Sequence, residues 1–261
     1  MAFDLHGKNV LVTGASEGIG LATAKRFVEL DANVWALARN RERLEALSAE
    51  LGGPPRLVPV TADVSDGPAM ETVTGRILSE LGVPDVIVAN AGISLDARFE
   101  NTTDEDLESV YQVNVFGLVR SIRPFLPAMK ERGSGRIIFV SSVIGKRGIP
   151  NYTAYSGSKF ALHGMAEALR PELTGTGVKV GIVCPSSTES ELRQRMKRIG
   201  PQQSDSRIRR HSAESVAGAI VKMVRTGKRE MVLSFEGKLM NWINRISPGL
   251  MDRILAKVLV E

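Results

Sequence analysis

The sequence predicts an α/β fold, a single doubly wound domain in which helices cover both faces of a parallel sheet. Two observations predict it. Short runs rich in valine, isoleucine and leucine alternate with segments of helical periodicity along the whole chain. These runs are continuous in apolar residues, as is typical of parallel strands that are buried on both faces. No linker, shift of composition or internal repeat divides the 261 residues, so we interpret 1–261 as one domain with a C-terminal helical extension.

Each predicted element follows from a local pattern. The predicted helices lie at 20–30, 42–51 and about 152–174, where apolar residues recur every three or four positions. Two glycines and two prolines end the second of these helices. The predicted strands are the β-branched runs at 9–14, 33–39, 56–64, 83–92, 135–142, 178–186 and 229–234. Their alternation with helices predicts right-handed crossovers between parallel neighbours.

Composition restricts the classes of function. A content of 43% hydrophobic residues is enough for a full core. The net charge is +5, but basic residues are spread along the chain and only 5% of residues are aromatic, which disfavours a nucleic-acid surface. No signal peptide is expected. The three histidines show no metal-ligand spacing, and the single cysteine, Cys184, cannot form an internal disulfide. We therefore expect no metal and a reducing, cytoplasmic location.

A glycine-rich turn, "TGASEGIG" at 13–20, joins the first strand to the first helix. Its glycines, Gly14, Gly18 and Gly20, allow a tight turn at the carboxyl end of the strand. Backbone N–H groups and the helix N-terminus would then face a pyrophosphate. Many turns need glycine, so the motif is informative only because of its place between the first strand and the first helix. There it predicts a dinucleotide site.

The end of the second strand, "LARN", bears on which dinucleotide binds. An acidic residue at this position would bind the ribose hydroxyl of NAD, whereas an arginine suits the additional phosphate of NADP. The end of this strand has no carboxylate, but it has Arg39. These residues therefore favour NADP(H) over NAD(H). A solvated arginine without a role is the alternative. Glu17, in the glycine turn, would oppose the preference if it lay near the same phosphate.

Tyr155 and Lys159, in "YSGSK", are four residues apart in the long predicted helix and so share one face. Tyrosine has a reference pKa of about 10, and a nearby ammonium group is expected to lower it. Packing alone is the alternative interpretation of this pair. Tyr152 is the competing tyrosine, but it lies two residues after Pro150, at or before the first turn. We expect it to line a substrate pocket or to pack.

These motifs together resemble the short-chain dehydrogenase/reductase family over about residues 5–235. The matching segments are "TGASEGIG", "ADV" at 62–64, "ANAG" at 89–92, "NVFG" at 114–117, "SS" at 141–142 and "YSGSK" at 155–159. The resemblance implies a Rossmann-type fold and an NAD(P)-dependent oxidoreductase that moves hydride between its cofactor and a carbonyl/alcohol pair. It also implies a homodimer or homotetramer, in which His163, one turn beyond Lys159, is interfacial or structural.

The resemblance also implies the site residues. The catalytic tetrad would be Asn114, Ser142, Tyr155 and Lys159. Tyr155 would act as acid/base, Ser142 would hydrogen-bond the substrate oxygen, Lys159 would bind the nicotinamide ribose, and Asn114 would hold a water in a relay to Lys159. With the residues of the glycine turn and of the second strand, the expected cofactor-binding set is Gly14, Ser16, Glu17, Gly18, Ile19, Gly20, Arg39, Asp63, Val64, Asn90, Ala91, Gly92, Tyr155, Lys159 and Ser190.

The segment after the sixth strand, residues 186–212, corresponds to the family's substrate lid. Pro185-Ser186 stands at its start, where the family has Pro-Gly. Serine restricts the backbone conformation more than glycine does, but we expect cofactor binding to persist. A basic lid would favour an anionic substrate such as a carrier- or CoA-bound acyl chain, and a solvated basic face is the alternative. Within it, residues 193–210 carry Arg193, Arg195, Lys197, Arg198, Arg207, Arg209 and Arg210 against one acid, Asp205.

Residues 236–261 form an amphipathic extension beyond a minimal member of the family. Apolar residues recur at helical spacing on both sides of Pro248-Gly249, among several lysines and arginines. The pattern predicts two short helices, which would meet a membrane surface or a hydrophobic substrate. Packing on the core or on another subunit is the alternative. A tail that borders the site would favour a bulky apolar substrate.

The resulting hypothesis is an oxidoreductase that reduces the ketone group of a small hydrophobic molecule with NADPH. The rival hypothesis is a non-catalytic dinucleotide-binding protein with a regulatory or scaffold role. The spacing of Tyr155 and Lys159 argues against the rival, because a binding module has no need of either residue.

Overall fold

A computed structural model describes residues 3–188, 196–200 and 211–259. Its central sheet has seven strands, all parallel, in the order β3-β2-β1-β4-β6-β7-β9. A separate parallel pair is formed by β5 and β8. The strands are β1 (Asn9–Thr13), β2 (Asn33–Ala38), β3 (Leu57–Thr61), β4 (Val86–Ala89), β5 (Leu95–Ala97), β6 (Gly135–Val140), β7 (Val178–Cys184), β8 (Lys197–Ile199) and β9 (Glu230–Val232).

Helices connect successive strands of the sheet, as the alternating pattern predicts. They are α1 (Gly18–Val28), α2 (Arg41–Glu50), α3 (Gly67–Arg76), α4 (Asp104–Tyr111), α5 (Gly117–Ile122), α6 (Leu126–Glu131), α7 (Thr153–Glu172), α8 (Ala213–Thr226), α9 (Phe235–Ile246) and α10 (Pro248–Leu259). Two π-helical turns, Ile77–Leu81 and Gln112–Phe116, and two 3₁₀ turns, Phe99–Asn101 and Val143–Gly145, complete the described elements.

Both faces of the sheet are buried, which confirms the predicted fold class. Successive residues of a strand point to opposite faces, so β1 supplies both layers of the core. Val10 and Val12 pack with α1 and α8 on one face. Leu11 packs on the other face with side chains from α5 and α7.

The predicted strands and helices are confirmed, but the strand ends differ. The apolar run at 83–92 extends beyond β4, because residues 90–92 leave the sheet at its carboxyl edge. The small pair β5 and β8 was not predicted, because three-residue strands carry no measurable periodicity. The two tail helices are confirmed as α9 and α10. Within the described ranges, no helix is both long and apolar enough to cross a membrane.

The chain order reverses beside β1, which lies between β2 and β4. Ligands of doubly wound sheets bind at such a switch point. The turn from β1 to α1 lies there, with Gly14 and Gly18 at φ of 67° and 53°. A Cβ on Gly20 would overlap the carbonyl oxygen of Gly14, so only glycine allows the turn to fold back on the helix. No side chain caps the N-terminus of α1, which leaves its N–H groups directed at the cleft.

The close approach of Gly20 to Gly14 provides a test of the turn. We expect Gly20→Ala to lower the free energy of unfolding by on the order of 1–3 kcal/mol, because a buried overlap with backbone has no easy relief. The matched control is Gly218→Ala, on an open face of α8, where alanine should raise stability by up to about 1 kcal/mol. Urea unfolding followed by circular dichroism measures both. Equal stabilities of Gly20→Ala and the parent protein would contradict the packing described.

Candidate active site

A cleft opens at the carboxyl ends of the central strands, with about 880 Å³ of space that is partly open to solvent. The predicted residues that line it are Gly14, Ser16, Glu17, Gly18, Ile19, Arg39, Asp63, Val64, Asn90, Ala91 and Gly92. Six further lining residues are absent from the predicted set: Leu37, Ala38, Asn40, Ala62, Ile93 and Val113. Gly20 supports the turn from beneath, within van der Waals reach of Gly14 and Asn90.

Hydrogen bonds join the ends of β1 and β4 under this cleft. The Thr13 hydroxyl accepts the N–H groups of Asn90 and Ala91, both at 3.0 Å. The Asn90 amide donates to the carbonyl oxygens of Thr13, at 3.0 Å, and of Gly14, at 3.4 Å. These bonds brace the two strands and hold 90–92 as a wall of the cleft.

Four charged side chains surround the end of β2. Arg39 lies with its Nη1 3.6 Å from Oδ2 of Asp63. Glu17, which was expected to repel a phosphate, instead has Arg43 Nη1 at 3.2 Å from its Oε2. Arg43 was missed by the sequence analysis. The signal for it was Asn40, which caps α2 by accepting the Arg43 N–H at 2.9 Å and so fixes Arg43 in the first helical turn.

Asp63 is held ionised at the edge of the cleft. Its partial burial acts to raise the pKa of the carboxyl group, but hydrogen bonds from the Ser65 hydroxyl and N–H, together with Arg39, outweigh this and lower the pKa. The two Ser65 bonds measure 2.6 and 2.8 Å. The carboxylate therefore stays available to orient Arg39.

The long helix α7 brings Tyr155 and Lys159 together on its buried face, at 9% and 4% exposure. The ammonium nitrogen of Lys159 lies 5.6 Å from the centre of the Tyr155 ring. It donates to the carbonyl oxygen of Val140, the last residue of β6, at 3.0 Å. Ser142 follows two residues later, and its hydroxyl donates to the Pro185 carbonyl oxygen at 3.5 Å and lies near enough to the Tyr155 phenol to act on its pKa. Three members of the predicted tetrad therefore meet where β6 ends.

Burial controls the ionisation of this pair. It raises the pKa of Tyr155 to about 12, against the opposing effect of the Ser142 hydrogen bond. It lowers the pKa of Lys159 to about 8. The direction for Tyr155 differs from the expectation that the ammonium group would lower its pKa. The reason is that the phenol is nearly enclosed, and burial is the largest influence on its pKa.

Asn114 lies in the π-helical turn before α5, and its side chain is bound by protein groups. Its Oδ1 accepts the Ile93 N–H at 2.8 Å, and its Nδ2 donates to the Ile93 carbonyl oxygen and the Ser158 hydroxyl, both at 2.9 Å. A Cβ on Gly92 would lie 3.1 Å from the Asn114 Oδ1 and 3.5 Å from the Lys159 Nζ. Both side chains therefore border the cleft wall that Gly92 forms.

Tyr152 occupies the N-cap position of α7 rather than its interior. Its hydroxyl lies 3.4 Å from Oδ2 of Asp96, a buried carboxylate on β5. This agrees with the expectation that its direction relative to Lys159 is not set by the helix.

Part of the predicted lid can be compared with the structure. Lys197 begins β8 and pairs with Asp106 at 2.7 Å. The predicted cofactor contact Ser190 and the basic residues Arg193, Arg195, Arg207, Arg209 and Arg210, with Asp205, lie outside the described residues.

His163, one turn beyond Lys159, is buried, with its Nε2 3.6 Å from the Cys184 sulfur. Burial, followed by the nearby Lys146 ammonium, lowers its pKa to about 4. Burial likewise raises the pKa of Cys184 to about 12, so the sulfur is an unreactive thiol rather than a thiolate. The contact is part of the core beneath the site.

The buried histidine predicts a loss of stability in acid. Unfolded histidine binds a proton below about pH 6.5, whereas His163 binds one only near pH 4. Protons therefore favour the unfolded chain, and stability falls as the pH drops below about 6.5. We expect His163→Gln to reduce the loss between pH 7 and pH 5 by on the order of 2 kcal/mol in urea unfolding. His6→Gln, at an exposed position, should leave the pH dependence unchanged, and equal slopes for both variants would contradict the assignment.

Comparison with known proteins gives a consistent result. The family model described as short chain dehydrogenase matches residues 8–199. "Ketoacyl reductase HetN" of Nostoc sp. is 31% identical, covering 96% of this chain and 88% of that protein. The "3-oxoacyl-[acyl-carrier-protein] reductase FabG" of Thermotoga maritima is 34% identical, covering 78% of this chain and 83% of that protein.

A solved structure agrees over nearly the full length of both chains. It is a crystal structure of a short-chain dehydrogenase from Streptomyces avermitilis, with a TM-score of 0.83 at 30% identity, covering 94% of this chain and 96% of that one. These matches agree with the fold, with the glycine turn and with the proximity of Ser142, Tyr155 and Lys159. The chain belongs to the short-chain dehydrogenase/reductase family of oxidoreductases.

Proposed function

We propose that this protein reduces a ketone to a secondary alcohol with NADPH, and that Tyr155 donates the proton. The observation that carries the proposal is the buried group of Ser142, Tyr155 and Lys159 beside a cleft that the glycine turn lines. A binding protein without catalysis has no need of a phenol and an ammonium group buried at this place.

The residues present fit a dinucleotide cofactor. The glycine turn and the uncapped N-terminus of α1 offer N–H groups to a pyrophosphate. Asp63 and Val64 would contact the adenine, Asn90, Ala91 and Gly92 would line the cofactor, and Lys159 would bind its ribose. When bound, the cofactor supplies the hydride. Ser190 completes the proposed set.

The proton chemistry favours reduction. With its pKa at about 12, Tyr155 is a neutral phenol at pH 7 and holds the proton that a carbonyl oxygen needs as it becomes an alcohol. Ser142 is placed beside that phenol to hydrogen-bond the same oxygen. Lys159, whose pKa of about 8 keeps it mostly protonated at pH 7, would replace the proton. Asn114, fixed by the Ile93 backbone, would hold a water at the far end of this relay.

The charges at the end of β2 support NADP(H). No carboxylate stands at the end of the strand, and Arg39 lines the cleft. Arg43 compensates Glu17, so the carboxylate expected to repel the extra phosphate is already paired. Arg39 would form the main contact, because a guanidinium binds phosphate through two parallel hydrogen bonds.

The substrate class follows from the relatives and from the chain's own surface. Two relatives are named as reductases of ketoacyl compounds. The basic residues of the lid would attract an anionic carrier. We therefore propose a hydrophobic ketoacyl substrate.

Assembly and location belong to the same proposal. Phe116, beside α5, and Phe160, on α7, are both exposed, and an apolar pair of this size on adjacent elements suits contact with another copy of the chain. We propose a homodimer or homotetramer in the cytoplasm, where the single thiol of Cys184 would stay reduced.

Replacing the proposed acid gives the direct test. We expect Tyr155→Phe to lower the kcat for reduction of a 3-ketoacyl thioester by about 10²–10⁴-fold, because only the donated proton is removed. NADPH binding should persist. Turnover is measured by loss of NADPH absorbance and binding by calorimetry.

The matched control is Tyr152→Phe. Its hydroxyl contacts Asp96 rather than Ser142 or Lys159, so kcat should stay within a few-fold of the parent value. Full turnover by Tyr155→Phe with cofactor bound would refute the assignment of Tyr155. Cofactor binding without turnover of any ketone by the parent protein would favour the non-catalytic alternative.

A second test addresses the cofactor. The parent protein should bind NADPH more tightly than NADH in paired titrations. We expect Arg39→Ala to weaken NADPH binding by about tenfold or more, because a charged hydrogen bond to phosphate is lost, and to leave NADH binding nearly unchanged.

Arg41→Ala is the matched control for this experiment. Arg41 lies two residues further on, pairs with Glu45 at 2.6 Å, and does not line the cleft. It should change neither affinity. If the parent protein prefers NADH, or if Arg39→Ala weakens both cofactors equally, the phosphate contact assigned to Arg39 is wrong.

A further inference from the structure

The tail helices expose apolar side chains that the core does not use. On α9, residues spaced by four, three and four positions share one face: Phe235, Leu239, Trp242 and Ile246. On α10, residues spaced by four do the same: Leu250, Ile254 and Val258. The two rows meet where the helices join, because Ile246 and Leu250 are only four residues apart. We call these seven side chains the tail stripe.

Other contacts of both helices hold the tail on the protein. Gly237 packs so closely on the 143–145 turn that a Cβ there would lie 2.5 Å from a methyl group of Val143. Arg147 donates to Asn244 at 3.0 Å and forms an ion pair with Asp252. Met251 and Leu255 of α10 are buried. The tail stripe therefore faces outward because the remaining surface of the helices is engaged.

Cations flank the tail stripe on both helices. Lys238 and Arg245 each lie three residues from a stripe residue of α9, and Arg253 and Lys257 lie three residues after Leu250 and Ile254 on α10. In the described part of the tail the acidic residues are Glu236 and Asp252, and Asp252 is paired with Arg147. The stripe thus combines apolar side chains with a net positive border.

We propose that the tail stripe binds the surface of an anionic phospholipid bilayer. The apolar side chains would enter the boundary between headgroups and acyl chains, Trp242 would lie at headgroup level, and the four cations would contact lipid phosphates. Binding of this kind scales with apolar area and with attraction to anionic lipid, and the tail stripe supplies both. The proposal does not depend on the proposed reaction.

The same charges disfavour a second copy of the chain as the occupant. A two-fold interface brings one patch against itself. The patch with Lys238, Arg245, Arg253 and Lys257 would then face the same cationic patch of the other copy. In the described tail, Glu236 is the one acid that is not paired elsewhere and could oppose these cations. A surface that carries excess negative charge meets the patch without this repulsion.

Anchoring by the tail would keep the cleft close to the lipid. Arg147, which holds both tail helices, lies in the segment between Ser142 and Tyr155. A lipid-soluble molecule that leaves the bilayer would then reach the site over a short distance.

Tryptophan fluorescence gives a direct readout. Of the two tryptophans, Trp35 is 2% exposed and Trp242 is 61% exposed, so a change on adding vesicles reports the tail. We expect the emission to shift to shorter wavelength with vesicles that contain phosphatidylserine, and much less with phosphatidylcholine alone. The protein should sediment with the former. High salt should weaken this binding.

Variants identify the surface. Ile254→Ser combined with Leu239→Ser should abolish sedimentation, whereas Phe99→Ser, at an even more exposed apolar residue outside the tail, should not change it. Lys238→Gln and Arg253→Gln should each weaken binding to anionic vesicles by about fivefold. Retained NADPH binding confirms that each variant is folded.

Three results would overturn the proposal. One is no emission shift and no sedimentation of the parent protein with anionic vesicles. Another is equal binding by the parent and the Leu239/Ile254 double variant. The third is a change of native mass in the double variant without vesicle binding by the parent, which would assign the tail stripe to a second copy of the chain.

Discussion

The link between the ends of β1 and β4 is the constraint on which the site depends. One hydroxyl, that of Thr13, accepts two backbone N–H groups, and one amide, that of Asn90, donates back to the strand and the glycine turn. Each such bond contributes about 1 kcal/mol, but its loss would leave partly buried donors unpaired at a higher cost. The wall of the cleft at 90–92, and the space that Gly20 must leave open, both follow from this link.

Among the described residues, no carboxylate pairs with the ammonium group that the site keeps in the interior. Lowering the pKa of Lys159 from 10.5 to about 8 corresponds to on the order of 3 kcal/mol of unfavourable burial. The Val140 carbonyl is the hydrogen-bond acceptor that the described structure provides for it. A fold that maximised stability would not place a lysine here, so the arrangement is typical of a functional site rather than of a core.

The same face of helix α7 contributes side chains to the candidate site and to the core. Tyr155, Ser158, Lys159 and His163 follow a helical row on its buried side. Ser158 accepts from Asn114 and donates to the Tyr155 carbonyl oxygen at 2.7 Å, which ties the π-helical turn to the start of α7. His163 then packs on Cys184 of β7. Catalytic geometry and packing are therefore not separable along this helix.

Local patterns determined much of this protein. Apolar runs and helical periodicity depend only on neighbours in the chain, and they predicted the alternation of strands and helices, the doubly wound class and both tail helices. The family resemblance predicted most of the cleft lining. The topology accounts for its location, because parallel strands end at one edge of the sheet and residues that follow those ends meet there. The predicted strand at 83–92 is longer than the observed strand β4, because tertiary hydrogen bonds decide where a chain leaves a sheet.

The tertiary structure decided the properties that depend on distance and burial. Arg43 pairs with Glu17 across 26 positions of sequence, and no spacing rule connects them. The direction of the Tyr155 pKa shift depends on how far the phenol is enclosed, which helical spacing does not state. The outward direction of the tail stripe likewise depends on Arg147 and Gly237, which fix the opposite faces of the tail helices. A sequence pattern distinguishes the two faces of a helix, whereas only tertiary packing decides which face contacts the rest of the protein.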